Sequence, residues 1–312
     1  MAVTGGWADG RTGEGHSERG AATPAEGGGG VYRPVDRLLA GFLAIMSAVA
    51  LTRAGSDPAT LRVLPAYGLM LVLIWLVRRP GLGAVGRVLA EIYPMFLFVP
   101  IYGALDLLNA GAPGTVHDAL VQRWEAQLFG GQISREWWQR APSTFWSTVF
   151  HGAYFSYYVV VPLPAFYFVW RHELPAIRRN ILAVTVTFLF CYLIFVFFPV
   201  AGPYYEFPRP NGAFLDNPMA HLVYGTLAQG SSFGAAFPSS HVAGMVASAL
   251  TAWMADRRLG SILLIPTALL TVGVVYCQMH YGVDSLTGVV VGAGAVGLVW
   301  TWDRRRRPGR EG

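Results

Sequence analysis

Residues 260–302 read GSILLIPTALLTVGVVYCQMHYGVDSLTGVVVGAGAVGLVWTW. The stretch holds two apolar runs, 260–279 and 282–302, and its only charged residue is Asp284. Crossing the hydrocarbon core of a bilayer takes about 20 largely apolar residues. We therefore expect two transmembrane helices, joined by a short turn that carries His280 and Tyr281.

The rest of the chain has the composition of a membrane protein. Of its 312 residues, 54% are hydrophobic and 13% are charged, whereas a soluble domain carries about 25% charged residues. The net charge of +5 is weak evidence for a nucleic-acid partner, and we expect none. Cys191 and Cys277 both lie in apolar segments, so they predict neither a disulfide framework nor a metal site.

The apolar runs predict an all-α fold, a polytopic transmembrane helical bundle with about eight spans. The spans are expected near 37–53, 61–77, 86–105, 147–170, 180–199, 239–255, 260–279 and 282–302. Residues 1–30 lack apolar periodicity and predict a disordered cytoplasmic tail. Residues 31–303 then form the transmembrane domain, and the arginine-rich residues 304–312 form a basic cytoplasmic tail.

One segment between the third and fourth spans has a different pattern. Val116, Leu120, Trp124 and Leu128 recur every four residues, with polar residues between them. Such a pattern is typical of a helix that lies in the membrane interface. We expect residues 116–140 to run along the membrane surface.

The arginines predict the orientation of the bundle. With a cytoplasmic N-terminus and eight spans, only six of the 23 basic residues fall outside: Arg53, Arg62, Arg123, Arg135, Arg140 and Arg209. Cytoplasmic loops carry the excess of arginine in membrane proteins. We therefore expect a multi-pass plasma-membrane protein with both termini in the cytoplasm.

His280 and Asp284 are the strongest candidates for chemistry. Ionisable groups within spans are costly and therefore mark functional sites. On a helix, residues four apart share one face, and a carboxylate beside an imidazole fixes its tautomer and raises its basicity. The alternative is a buried hydrogen-bonded pair that only holds two helices together.

A second candidate is the stretch Phe237-Pro238-Ser239-Ser240-His241, which precedes an apolar helix. Proline and serine favour helix starts, and the N-terminus of a helix attracts phosphate. Ser239 and Ser240 could add hydroxyl donors. The alternative is an ordinary helix cap with a histidine near the interface.

A third candidate is Arg209, in the outer loop that also holds Tyr204 and Tyr205. A guanidinium can hold phosphate oxygens through two parallel hydrogen bonds. The alternative is an arginine that contacts ordinary lipid headgroups. The predicted topology brings all three candidates to the extracytoplasmic face.

These residues resemble the type 2 phosphatidic acid phosphatase superfamily. Pro238-Ser239-Ser240-His241 is similar to its second signature, Pro-Ser-Gly-His, and His280 with Asp284 to the end of its third, Ser-Arg-x5-His-x3-Asp. The resemblance covers roughly residues 195–300. It implies a six-helix phosphatase-like core formed by the last six spans.

The chain departs from the family pattern at several positions. Ser240 stands where glycine is usual, and Gly273 and Val274 stand where serine and arginine are usual. The first signature, Lys-x6-Arg-Pro, keeps only Arg209-Pro210, with Gly202 at the lysine position. The form without the third-signature arginine is closer to the branch that contains inositol phosphorylceramide synthase.

The resemblance also implies roles. His280 would be the nucleophile that forms a phosphohistidine, Asp284 would orient it, and His241 would protonate the leaving oxygen. Ser239, Ser240 and Arg209 would hold the phosphoryl oxygens, and Tyr204, Tyr205 and Tyr281 would be candidates for substrate contact. We expect no metal and no cofactor.

Three functions stay open at this stage. The first is a membrane phosphatase, a phosphoric ester hydrolase of lipid metabolism that acts on a lipid-phosphate substrate. The second is a phosphotransferase that passes a phosphoryl-headgroup to an alcohol acceptor, as inositol phosphorylceramide synthase does. The third is a transporter or structural membrane protein, but the paired broken helices of a transporter are not evident.

Overall fold

In the computed structural model, residues 33–110, 116–230 and 232–306 are described, and within them the fold is helical, with one isolated β-bridge between Val200 and Ala235. The first nine helices are α1 (Pro34–Arg53), α2 (Val63–Leu76), α3 (Ala84–Ile92), α4 (Pro94–Ala110), α5 (Asp118–Phe129), α6 (Ile133–Arg140), α7 (Thr144–Phe155), α8 (Tyr157–Val160) and α9 (Leu163–Trp170). They are followed by α10 (Leu174–Phe197), α11 (Pro203–Glu206), α12 (Pro218–Gly230), α13 (Ser240–Ala255), α14 (Arg257–Tyr276) and α15 (Gly282–Arg306). Short 3-10 helices lie at Pro58–Arg62 and Gly212–Phe214.

Five stretches in the described part of the chain are long and apolar enough to cross a membrane. They are α1, α10, α14, α15 and the continuous stretch Pro58–Leu76, which ends with α2. Two bent pairs raise the count to seven: α3 with α4, bent by 43°, and α7–α8 with α9, bent by 42°. Pro94 and Pro162 lie at these bends, where a proline lacks the N–H that would continue the helix. The all-α polytopic bundle is confirmed.

The helix at the remaining predicted span, 239–255, is α13, which has only 16 residues. Its length is about 24 Å, less than the roughly 30 Å hydrocarbon core. Because α10, α14 and α15 pack around it, most of α13 is buried against protein. A helix enclosed in this way does not need a full lipid-facing span.

Close packing against α15 sets the position of the start of α13. A Cβ atom added at Gly288 would lie 2.7 Å from the carbonyl oxygen of Ser239, and one at Gly292 would lie 2.4 Å from that of Ala243. The two glycines are four residues apart on one face of α15, a spacing that lets helix backbones approach in membranes. The start of α13 therefore lies directly against the first turns of α15.

The first two spans are tied to the bundle by buried polar groups. Arg78 donates two hydrogen bonds of 2.7 Å to the carboxylate of Asp36, and the Tyr93 hydroxyl donates a third of 2.6 Å. These contacts join the start of α1 to the end of α2 and to the bend before α4. The predicted tail 1–30 lies outside the described residues. At the other end, α15 continues through Arg304 and Arg305 to Arg306.

Candidate active site

His280 lies in the turn between α14 and α15 and is paired with the first turn of α15. Its Nδ1 atom is 3.4 Å from Oδ2 of Asp284, and the same oxygen accepts the N–H of Tyr281 at 2.9 Å. Asp284 is fully buried, and its Oδ1 has no hydrogen-bond partner in the part of the chain that the structure describes. Because Nδ1 of His280 faces the carboxylate, Nε2 is the ring nitrogen that Asp284 does not contact.

His241 faces this pair from the first turn of α13. The ring centroids of His241 and His280 are 6.0 Å apart, with planes inclined by 58°. The structure thus brings the two histidines and Asp284 together. Nε2 of His241 is 3.2 Å from the hydroxyl of Tyr154, and its Nδ1 is buried without a partner among the described residues.

Ser239 caps α13 and joins it to α15. Its hydroxyl accepts the N–H of Val242 at 3.4 Å, and its own N–H donates to the backbone carbonyl of Asp284 at 3.0 Å. Ser240 is the first residue of the helix, and both serines are buried. The N-terminus of α13, with the positive end of its dipole, thus lies beside the two histidines.

Asp118, at the start of α5, holds two separate parts of the site wall. Its carboxylate accepts the N–H groups of Ala201 and Gly202, each at 2.7 Å, and the hydroxyl of Tyr281 at 2.9 Å. Gly202 has a φ of +93° and its Cβ position lies 2.8 Å from Ala236, so glycine suits this turn. Asp118 therefore fixes the loop after α10 against the residue that follows His280.

Two further residues on the same face of α5 complete this support. Gln122 donates to the Tyr281 hydroxyl at 2.9 Å. Glu125 is fully buried and accepts the N–H of Gly282, the first residue of α15, at 2.7 Å. It also accepts the hydroxyl of Ser134 at 2.8 Å. Burial raises the pKa of the Glu125 carboxyl, although these hydrogen bonds oppose the change.

The strap, residues 203–210, is anchored to Gln278, two residues before His280, and carries the predicted arginine. The side-chain amide of Gln278 donates to the carbonyls of Pro203 and Pro208 at 3.3 and 3.0 Å. Arg209 is exposed, and its guanidinium carbon lies 4.2 Å from the ring centroid of Tyr204. The contacts of the described residues do not join Arg209 to either imidazole.

The three tyrosines that sequence analysis singled out have different positions. Tyr204 is half-buried under Arg209, and Tyr205 is 40% exposed, so both could face a ligand. Tyr281 is fully buried, and its hydroxyl is engaged by Asp118 and Gln122. This burial argues against direct contact between Tyr281 and substrate, and indicates that Tyr281 anchors the wall of the site.

Sequence reasoning missed the support from α5 and the tyrosine beside His241. The interfacial pattern of residues 116–140 indicates solvent contact for the polar residues between its apolar positions, yet Asp118 and Glu125 are buried. The spacing of four and three residues between Asp118, Gln122 and Glu125 puts them on one helical face, which was the available signal. Tyr154 lies in an apolar run and gave no signal.

A comparison with known protein families identifies the family to which this chain belongs. A family profile described as the PAP2 superfamily matches residues 119–298, more than half of the chain. The chain belongs to the PAP2 superfamily. Searches of curated proteins and of solved structures gave no match. His241, His280 and Asp284 all lie in the matched range, and PAP2 membership indicates phosphatase-type chemistry on phosphate esters in a multi-pass membrane protein.

The structure shows what replaces the Ser-Arg pair of the third PAP2 signature. Val274 is fully buried, and its carbonyl accepts the N–H groups of Met279 and His280 at 2.8 and 3.0 Å. A Cβ atom at Gly273 would lie 2.7 Å from Cβ of Phe150. Position 274 thus shapes the turn that carries His280 but brings no positive charge to it.

Proposed function

We propose that this PAP2 protein cleaves a lipid-linked phosphate ester through a phosphohistidine intermediate at the extracytoplasmic face of the plasma membrane. The observation that carries the proposal is the 6.0 Å separation of the His241 and His280 rings, with Asp284 on the Nδ1 side of His280. Two imidazoles at this separation can contact one phosphoryl group from opposite sides.

In the first step Nε2 of His280 attacks phosphorus. A P–N bond forms and the P–O bond to the lipid alcohol breaks, while the imidazolium form of His241 gives its proton to the leaving oxygen. Asp284 holds the His280 ring in position and stabilises the positive charge that develops on it. The unpartnered Nδ1 of His241 is the atom that would deliver the proton.

In the second step water attacks the phosphohistidine. His241, now neutral, takes a proton from the water as the new P–O bond forms and the P–N bond breaks. Inorganic phosphate leaves, and both histidines return to their starting forms. Dividing one difficult displacement into two easier ones is the general advantage of covalent catalysis.

The phosphoryl oxygens would be held by the start of α13 and by the strap. Ser239 and Ser240 bring the N-terminus of a 16-residue helix to the histidines, and such ends bind phosphate through N–H groups and the helix dipole. Arg209 lies on the strap anchored by Gln278, and could swing from the ring of Tyr204 onto a bound anion.

The extracytoplasmic placement is supported by the distribution of arginines. The histidines lie where α14 ends and α15 begins, whereas Arg304, Arg305 and Arg306 lie at the other end of α15. Arginine-rich ends of membrane helices face the cytoplasm. Cysteine-labelling or reporter fusions after Arg306 that react only outside the cell would contradict this orientation.

The experiment that tests the function uses purified protein and a panel of labelled lipid phosphates. We expect release of phosphate and an acid-labile phosphoenzyme that His280→Ala abolishes. His221→Ala, an exposed histidine on α12, is the matched control and should keep full activity. Turnover without any phosphoenzyme in rapid-quench samples would refute the covalent route.

One observation favours a second function, transfer of a phosphoryl-headgroup to an alcohol. A phosphomonoester carries about −1.5 to −2 charge at neutral pH, whereas a phosphodiester carries a single charge and needs fewer cations. The buried Val274 and Gly202 occupy two positions where the family usually has cations. Adding alcohol acceptors to the same assay distinguishes the functions, because transferred lipid would then replace free phosphate as the product.

A further inference from the structure

A cavity lies at the end of the bundle opposite the histidines. It has a volume of about 250 Å³, and its polar lining consists of Arg33, Glu91, Arg178, Arg179, Trp302 and Asp303. The lining residues come from the starts of α1 and α10 and from the ends of α3 and α15. The histidine site instead lies where α10 ends and α15 begins. Because Asp284 and Asp303 are 19 residues apart on α15, the two sites are about 28 Å apart.

The charges around this cavity do not cancel. Glu91 forms a salt bridge with Arg33 and accepts two hydrogen bonds from Arg178, at 3.0 and 3.1 Å. One carboxylate thus neutralises only one of two guanidinium groups. Arg179 is 3.9 Å from Asp303. Three arginines and two carboxylates therefore leave the lining with a net charge of about +1. Arg305 and Arg306, in the last turn of α15, add to the positive potential.

The rest of the lining is apolar. Leu182 and Val299 form part of the wall, and Trp302 lies among the charged residues. A tryptophan next to arginines is typical of the headgroup level of a membrane. An apolar cavity of about 150 Å³ holds benzene, so this one has room for a phosphate and its ester carbons. An apolar wall with a cationic rim suits a phospholipid better than a free ion.

We propose that this cavity binds the phosphate of an anionic phospholipid from the leaflet opposite the histidine site. Arg179 supplies the main contact, and the N–H groups of Arg33 and Arg178 that Glu91 does not use complete it. A guanidinium has five N–H donors, so each can hold Glu91 and a phosphate oxygen together. Binding here would join α1, α10 and α15 at their ends, away from the catalytic chemistry.

The test measures lipid retention by native mass spectrometry of the full chain. The probes are phosphatidylglycerol and phosphatidylcholine with the same acyl chains. We expect phosphatidylglycerol to be retained more strongly. Removing one basic charge near a membrane surface is worth about fivefold in affinity, so Arg179→Gln should weaken its retention about fivefold. Arg33→Gln should have a similar effect and carries the test if Arg179→Gln does not fold.

The matched control is Arg87→Gln. Arg87 is an exposed arginine on α3 that donates to the carbonyl of Leu82 and does not line the cavity. Its loss should leave retention unchanged. Equal retention of the two lipids would overturn the proposal, as would an equal loss in Arg87→Gln, because attraction would then be diffuse. Displacement of the lipid by millimolar inorganic phosphate would assign the cavity to a free anion and overturn it too.

Discussion

The hydroxyl of Tyr281 donates a hydrogen bond to Oδ1 of Asp118, and the two oxygen atoms are 2.9 Å apart. Because the same carboxylate holds the N–H groups of Ala201 and Gly202, one buried side chain connects the loop after α10 to the residue next to His280. The position of the proposed nucleophile therefore depends on α5, a helix outside the membrane spans.

Tyr281→Phe should reduce both stability and turnover. The substitution keeps the ring but leaves Asp118 and Gln122 without their shared partner. An unsatisfied buried polar group costs about 1–3 kcal/mol, so the free energy of unfolding in detergent micelles should fall by about that amount. The value of kcat should fall because the His280 turn loses its support. Tyr158→Phe, on α8, where the side chain is 46% exposed, is the control, and equal behaviour of the two variants would contradict the anchoring role.

Gly288→Ala should separate α13 from α15. The added Cβ would lie 2.7 Å from the carbonyl of Ser239, and overpacking of this kind costs about 1–3 kcal/mol. The shift would also stretch the hydrogen bond from Ser239 to Asp284, so activity should fall together with stability. Both are measured by denaturant titration and a phosphate-release assay.

The control for Gly288→Ala lies on the same helix. Gly294 has no atom within 4 Å of its Cβ position, so Gly294→Ala should be harmless or stabilise the helix by about 0.5–1 kcal/mol. If both alanine variants lost activity equally, helix content rather than close packing would be the cause.

The sequence predicted the helical bundle well, because apolar runs long enough to cross a bilayer usually form transmembrane helices. Its limits are clearest at α13, which follows the predicted span 239–255 closely. Most of α13 is buried by neighbouring helices, and no local pattern reports burial by other spans. The bends at Pro94 and Pro162 were marked by proline, but their angles depend on packing.

The site was predictable where its chemistry is local. His280 and Asp284 are four residues apart, and His241 joins them through the order of the spans, which arginine counts supplied. The buried pairing of Asp118 with Tyr281 spans 163 residues of chain, and a single sequence carries no signal for such a contact. For the same reason Tyr281 was assigned to substrate contact, and its burial became visible only in three dimensions.

Glu125→Gln should change the pH dependence of stability. Burial raises the pKa of this carboxyl above its ordinary value, so the folded state favours the protonated form. Its stabilising contribution is complete below the ordinary pKa and is lost as the pH rises through the raised pKa. Glutamine cannot ionise and can keep both the Gly282 and Ser134 contacts. The thermal unfolding midpoint of the variant should therefore increase relative to that of the wild type as the pH rises from acid to neutral.

The control for this pH series is Glu173→Gln, in the turn before α10, where the side chain is 38% exposed and pairs with Arg171. Its midpoints should follow those of the wild type. Parallel profiles for Glu125→Gln and the wild type would show that the carboxyl does not change its protonation between these pH values.

The roles of the two histidines can be separated by the leaving group of the substrate. An aryl phosphate has a good leaving group that needs little protonation, so it should restore activity to His241→Ala. General acid catalysis is typically worth about 10²–10⁴-fold, and the rescue should approach that size. His280→Ala should not be rescued, because it lacks the atom that forms the P–N bond. Asp284→Asn should fall between them, since it keeps the shape but no longer stabilises the imidazolium.

The measurement is kcat/KM for alkyl and aryl substrates in each variant, with His221→Ala as the exposed control. Rescue of His280→Ala by the aryl substrate would reverse the assignment, because His241, which has Tyr154 rather than a carboxylate beside it, would then have to be the nucleophile.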